Sequence, residues 1–313
     1  MTVQPPFKYD VVGSFLRPGY LKKAREEFAN KTIDAKQLKA IEDKAIQELV
    51  AKEKEVGLQA VTDGEFRRRY WHLDFLADLD GVEEIKAYHW SVHFKGHQPK
   101  AATLKITDKI DFGNHPFVEH FKYLQSIGQD TLCKMTIPSP SMLHLICCVR
   151  SEEYTPIKRY EDMDVLYHDI AIAYQKAIRA FYDAGCRYLQ LDDTSWGEFC
   201  DANKRKAYNK RGLDLDKIAK SYVDMINLAL EAKPKDMTIT MHICRGNFRS
   251  TWFSLGGYEP VAEILFGHCK VDGFFLEYDS ERSGDFSPLR FIKDQKVVLG
   301  LITSKFAKLE DKE

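Results

Sequence analysis

The feature that most constrains this chain is a repeated alternation. Short apolar, β-branched runs are each followed by a stretch of helical periodicity, and nearly every apolar run ends in polar residues. Strands that alternate with helices in this way build a parallel sheet covered by helices. The expected strands are Tyr9–Phe15, Leu58–Thr62, Thr131–Ile137, Cys186–Leu191, Thr238–Ile243, Gly273–Leu276 and Val297–Leu301. Between them, helical spacing runs over Leu21–Phe28, Leu38–Val56, Pro116–Ile127, Met163–Ala184, Leu215–Ala232 and Tyr258–Phe266. Gly57 and Gly185 follow two of these as helix-terminating glycines do. Only Val82–Phe112 breaks the pattern, with polar and aromatic alternation at Tyr88, Trp90, Val92 and Phe94. That stretch predicts an antiparallel excursion without a helix of its own.

The polar residues at the strand ends decide the architecture. They are Ser14, Asp63 and Glu65, Ser139, Asp192 and Asp193, His242 and Cys244, Glu277, and Thr303 and Ser304. A closed barrel gathers all strand ends around one mouth, whereas a doubly wound open sheet concentrates them at a single switch point. No glycine fingerprint for a nucleotide comes after any strand. The expectation is therefore a (β/α)8 TIM barrel, one catalytic domain over residues 1–313 with an inserted hairpin at about 82–112. Seven strands are expected, and the segment after Leu301 is short and ends in the charged run Lys308–Glu313. The eighth strand and its helix are thus expected to be missing from this stretch of sequence.

Charge and cysteine usage exclude other classes. Lys and Arg (46) nearly balance Asp and Glu (47), which leaves no basic footprint for nucleic acid. No apolar run approaches the roughly 20 residues of a membrane helix, and Met1–Lys8 carries no secretory signal. Seven cysteines without framework spacing suit a reducing compartment, so a cytoplasmic location is expected.

The chemistry centres on Thr238–Asn247, T-I-T-M-H-I-C-R-G-N. His242 and Cys244 are two residues apart, so on an extended chain both side chains point the same way. An imidazole and a thiol so placed are half of a zinc site, although the spacing alone more often means a core histidine beside an inert cysteine. Glu277 ends the neighbouring strand, about 4.8 Å away; it could complete the set or pair with a surface cation. Asp192 and Asp193 point to opposite faces, one toward the mouth for an ammonium group or proton transfer, the other capping the next helix. Glu65 in D-G-E-F-R-R-R could face the mouth or pair with Arg67 or Arg68, and Ser14 could be a turn residue. Trp71 and Trp196 come after strand ends, where they could stack on a flat ring or simply pack.

Taken together, V-V-G-S-F-L-R-P, V-T-D-G-E-F-R-R, Q-L-D-D, M-H-I-C-R-G-N and F-L-E-Y-D-S-E-R-S-G-D-F resemble the cobalamin-independent methionine synthase family. The resemblance runs from about Tyr9 to Lys305 and is closest to short, single-barrel members matching the catalytic half of full synthases. It implies zinc-dependent methyl transfer to the thiol of homocysteine. His242, Cys244 and Glu277 are the implied zinc ligands; Ser14, Glu65 and Asp192 are the implied groups on homocysteine, with Glu65 and Asp192 acting in catalysis. The family's fourth ligand, a cysteine on the last strand, has no match among Cys133, Cys147, Cys148, Cys186, Cys200 and Cys269. The methyl donor is left open between methyltetrahydrofolate and another carrier. Another zinc-dependent thiol alkyltransferase, acting on coenzyme M or a similar small thiol, and a metal-free barrel that binds an amino acid or thiol without turnover are the alternatives. Expected partners are small molecules, with no nucleic acid or membrane, and a homodimer is compatible.

Overall fold

The computed structural model describes residues 4–86, 102–247 and 250–307. Among the described residues there are eight strands: β1 (Ala60–Val61), β2 (Asp80–Lys86), β3 (Ala102–Asp111), β4 (Leu132–Pro138), β5 (Tyr188–Asp193), β6 (Thr238–Ile243), β7 (Gly273–Glu277) and β8 (Lys296–Gly300). Six of them form one sheet in the order β1-β4-β5-β6-β7-β8, and every pair in it is parallel. The other two, β2 and β3, form the antiparallel excursion expected from the sequence. Its aromatic run Tyr88, Trp90, Val92 and Phe94 lies outside the described residues.

The sheet is curled into part of a barrel. Lys134 on β4 sits with its ammonium 4.5 Å from the centre of the Phe275 ring on β7, three strands away. In a flat sheet those strands would lie roughly 14 Å apart, beyond a lysine's reach. Alternation then sorts the side chains. Lys134, Tyr188, Gln190, Asp192, Thr240, His242 and Phe275 share the concave face, while Met135, Leu189, Leu191, Ile239, Met241 and Phe274 are buried toward the helices.

The covering helices start where local chemistry supplies a cap. Asp34 and Gln37 form a capping box at Ala35–Glu55, Asp162 caps Met163–Asp183, and Asp214 accepts from Asp216 N and Lys217 N at Leu215–Leu230. Helix Met163–Asp183 buries Ile170, Tyr174, Ala177 and Phe181 along one stripe, the spacing of a face laid on a sheet.

One expected strand is not formed. Tyr9–Phe15 has the β-branched, apolar composition of a strand, yet it joins no ladder. Its backbone is satisfied by side chains instead: Lys134 Nζ donates to Val11 O (2.6 Å) and Gln190 Nε2 donates to Val12 O (2.8 Å). Phe15 N donates to Gly64 O (3.2 Å), which ties the segment to the turn after β1. Inward-pointing polar residues from β4 and β5 thus hold this segment, and the sheet counts six strands where seven were expected.

Candidate functional site

Register brings the strand ends together. Asp192 lies opposite His242 across the β5–β6 pair, and His242 lies opposite Phe275 across β6–β7. Continuing that register by two residues sets Cys244 beside Glu277. One donor atom from each of His242, Cys244 and Glu277 lies within 4.8 Å of the other two. Zinc binds such donors at about 2.0–2.3 Å, so small side-chain rotations can bring all three onto one ion. Among the described residues no further His, Cys, Asp or Glu joins this cluster. The six other cysteines are buried elsewhere, and all seven are free thiols.

Each member is held from behind. His242 Nδ1 is 2.9 Å from Asp192 Oδ1, the contact of an Nδ1–H donor, and in that tautomer Nε2 is the nitrogen with a lone pair open to a metal ion. Gln190 Nε2 donates to the same Oδ1 at 2.7 Å. Gly246 N donates to Cys244 Sγ at 3.2 Å, and Cys244 N donates to Asp193 O at 2.9 Å. Burial and then the Glu277 charge push the Cys244 thiol far up, which favours its neutral form. Arg282 Nη2 donates to Glu277 Oε2 at 3.0 Å, and the buried Arg245 donates to Glu277 O at 3.2 Å. Lys305 lies alongside, donating to Asn247 Oδ1 at 2.8 Å, its ammonium close enough to be felt by Glu277 and Cys244.

Gly197 is required by this packing. A Cβ there would stand 2.6 Å from Cys244 O, nearer than backbone and side chain approach.

The carboxylates assigned from the sequence divide by position. Glu65 is buried in the turn after β1 with a left-handed φ of 58°, an uncommon conformation for a non-glycine residue. Burial raises its pKa, Arg68 opposes that, and the charge of Asp192 adds to it; Thr136 Oγ1 on β4 donates to Glu65 Oε1 at 3.4 Å. Arg68 Nη1 lies 3.6 Å from Glu65 Oε1, whereas Arg67 is taken by Glu42 and Asp43. Asp193 points away from the mouth, as adjacent residues must; it accepts from Ser195 N at 2.7 Å at the start of the helix Ser195–Cys200, whose N-cap position is held by Thr194. Ser14 is exposed at the rim of a cavity of about 470 Å³.

The two tryptophans part company. Trp196 is fully buried and packs edge-on against Phe199 and Tyr222, so it is a core residue and the stacking role does not hold for it. Trp71 is half-buried beside His72, ring centroids 4.4 Å apart.

Sequence reasoning does not reach the Gln190–Asp192–His242 chain or the part played by Lys305. The first is readable in part, because Gln190 and Asp192 share a strand face by period two; its completion by His242 needs the β5–β6 register.

Comparison with known proteins agrees with this geometry. Residues 7–255 match the family described as the cobalamin-independent synthase, catalytic domain. The uncharacterized protein YxjG of Bacillus subtilis is 48% identical over 98% of this chain and 80% of its own length. A Listeria monocytogenes structure, described provisionally as a vitamin-B12 independent methionine synthase, superposes with a TM-score of 0.78 at 47% identity, covering 98% of this chain and 83% of that one. The methionine synthase of Sulfolobus acidocaldarius is 22% identical over 97% of this chain and 77% of its own length. With a match over most of its length and a spatially assembled strand-end cluster, this chain belongs to the cobalamin-independent synthase catalytic-domain family.

Proposed function

We propose that this chain is a zinc-dependent methyltransferase that moves a methyl group to the thiol of homocysteine, forming methionine. Residues 1–313 would act as one barrel domain, the donor being methyltetrahydrofolate or another methyl carrier. The observation that carries this reading is the convergence of His242, Cys244 and Glu277, with Asp192 bonded to the far nitrogen of the histidine. That donor set, one imidazole, one thiolate and one carboxylate, suits zinc. When bound, zinc would supply Lewis acidity that keeps an acceptor thiol ionised at neutral pH.

The chain's own residues supply the rest. Asp192 holds the His242 tautomer, and the Gly246 amide steadies the Cys244 sulfur. Asp192, with the Glu65 carboxyl near enough to feel its charge, would accept the ammonium group of an amino acid. Fixing that group there orients the acceptor sulfur toward the donor. Ser14, in the segment that Phe15 N ties to the turn before Glu65, would be the further contact for the amino acid. A small-thiol alkyltransferase would need the same metal cluster but not the paired carboxylates, so the Glu65–Asp192 pair favours an amino acid acceptor.

The test is zinc content and homocysteine methylation for the chain and for Cys244→Ser. Near-stoichiometric zinc, lost together with methylation in the variant, is expected. A serine variant that still methylates homocysteine would remove Cys244 from the site, and zinc-free protein that methylates would end the zinc reading.

A further inference from the structure

Gln190 stands between two parts of the molecule that the proposed reaction must bring together. It lies on β5, on the concave face, and is fully buried. Its Nε2 donates to Val12 O at 2.8 Å and to Asp192 Oδ1 at 2.7 Å. A carbonyl and a carboxylate only accept, so the amide turns its NH2 toward both and spends both N–H groups on them. Among the described residues its Oε1 accepts no hydrogen bond. The orientation of the amide about its last side-chain bond thus rests on those two contacts.

The two acceptors serve different ends. Val12 is two residues before Ser14, in a segment that joins no sheet. Beyond Ser14, Phe15 N donates to Gly64 O, and Arg17 fastens the same turn through Glu65 O at 2.8 Å and Arg68 O at 2.6 Å. Ser14 is therefore seated from two sides, one of them Gln190. Asp192 Oδ1 also faces His242 Nδ1 at 2.9 Å, so the same amide steadies the carboxylate behind a candidate metal ligand. If the segment withdraws, one buried N–H of Gln190 loses its acceptor, and an unpaired buried donor is costly. The amide then turns to find another, and the carboxylate behind His242 loses a charge-assisted bond. Conversely, an ion that fixes the imidazole fixes Asp192, and with it the N–H that meets Val12 O. We propose that Gln190 is a positioning residue that couples these two parts, so that a metal ion on His242 and an amino acid on Ser14 and Asp192 bind cooperatively even when that amino acid offers no sulfur. The proposal rests on the zinc methyltransferase reading for the identity of the two ligands. It adds a linkage which that reading does not require, since an acceptor thiol by itself would join metal and substrate.

The experiment measures this linkage on the full chain with norleucine, which is methionine with its sulfur replaced by a methylene. Calorimetry gives norleucine affinity with and without zinc, and a chromophoric chelator gives zinc affinity with and without norleucine. In the parent each ligand should tighten the other by about fivefold or more, and the two factors must agree because linkage is reciprocal. Gln190→Met keeps the length of the side chain but has no N–H; both factors should fall to about one while each ligand still binds. Tyr188→Phe is the control, since it removes the hydroxyl that donates to Asp10 on the same segment and leaves Gln190 in place; it should retain the factor. Equal norleucine affinity with and without zinc in the parent overturns the inference, whatever the variants do. So does a factor that persists in Gln190→Met, or one that falls as far in Tyr188→Phe, which would make Gln190 one anchor of the segment among several. A parent that binds no zinc overturns the methyltransferase reading as well, and is thereby told apart from a loss of linkage alone.

Discussion

Replacing Asp192 with asparagine tests the site where two proposed roles meet. Asp192 Oδ1 accepts from both His242 Nδ1 and Gln190 Nε2, at 2.9 and 2.7 Å. The amide of Asp192→Asn would keep the size and one acceptor oxygen but lose the charge, and charge-assisted hydrogen bonds are about twice as strong as neutral ones. Outer-shell partners of a ligating histidine typically contribute about 10–100-fold to metal affinity. Because the acceptor oxygen is preserved, Asp192→Asn belongs at the low end, about tenfold or roughly 1.4 kcal/mol. Asp192→Ala, which removes both bonds, should fall further toward the upper end. Zinc affinity is read by competition with a chromophoric chelator, and homocysteine affinity by calorimetry on zinc-saturated protein. Both should weaken. Zinc affinity within about twofold of the parent, with homocysteine binding lost, would show that Asp192 serves the substrate alone and that its contact with His242 is incidental.

Two further perturbations probe the frame. Glu53, buried on helix Ala35–Glu55, accepts from Thr62 N at 3.2 Å and Thr62 Oγ at 3.3 Å, and burial pushes its pKa up to about 8. The folded form therefore keeps a proton that the unfolded chain releases near pH 4.5, so this group's stabilisation is full below that pH and is lost as pH rises to 8. Glu53→Gln, which needs no proton, should melt higher than the parent at pH 8 and alike at pH 4; parallel melting curves at both would refute the burial argument. Gly197→Ala places a methyl 2.6 Å from Cys244 O, and should cost about 1–3 kcal/mol of stability in denaturant melts while also weakening zinc retention. Unimpaired zinc affinity in that variant would show that the Cys244 loop yields freely.

The parts of this fold that can be read in advance are those whose information is local. Short apolar, β-branched runs place β4 to β8 within a residue or two, and Gly57 and Gly185 mark the ends of two helices. His242, Cys244 and Glu277 are legible because a strand's alternation fixes the facing of residues two apart, and strand ends share one mouth. Tyr9–Phe15 misleads for the complementary reason. Its composition is that of a strand, but the groups that satisfy its carbonyls come from Lys134 and Gln190, distant in sequence and conspicuous in neither. Trp196 shows the same limit, since whether a tryptophan after a strand faces the mouth or the core depends on helices packed around it. The dual position of Asp192, toward His242 and toward Glu65, likewise needs the register of two strand pairs.

The side-chain anchoring of the N-terminal segment has a consequence for the order in which this molecule becomes competent. The metal cluster joins residues at most 35 positions apart, within one strand–helix–strand unit. The rim that carries Ser14 depends on contacts such as Gln190 with Val12, 178 positions apart, and Lys296 with Gln4, 292 apart. Loops that long close at greater entropic cost and form later. A refolding chain should thus capture its metal before it can hold an amino acid, and the two abilities should return with separate rates.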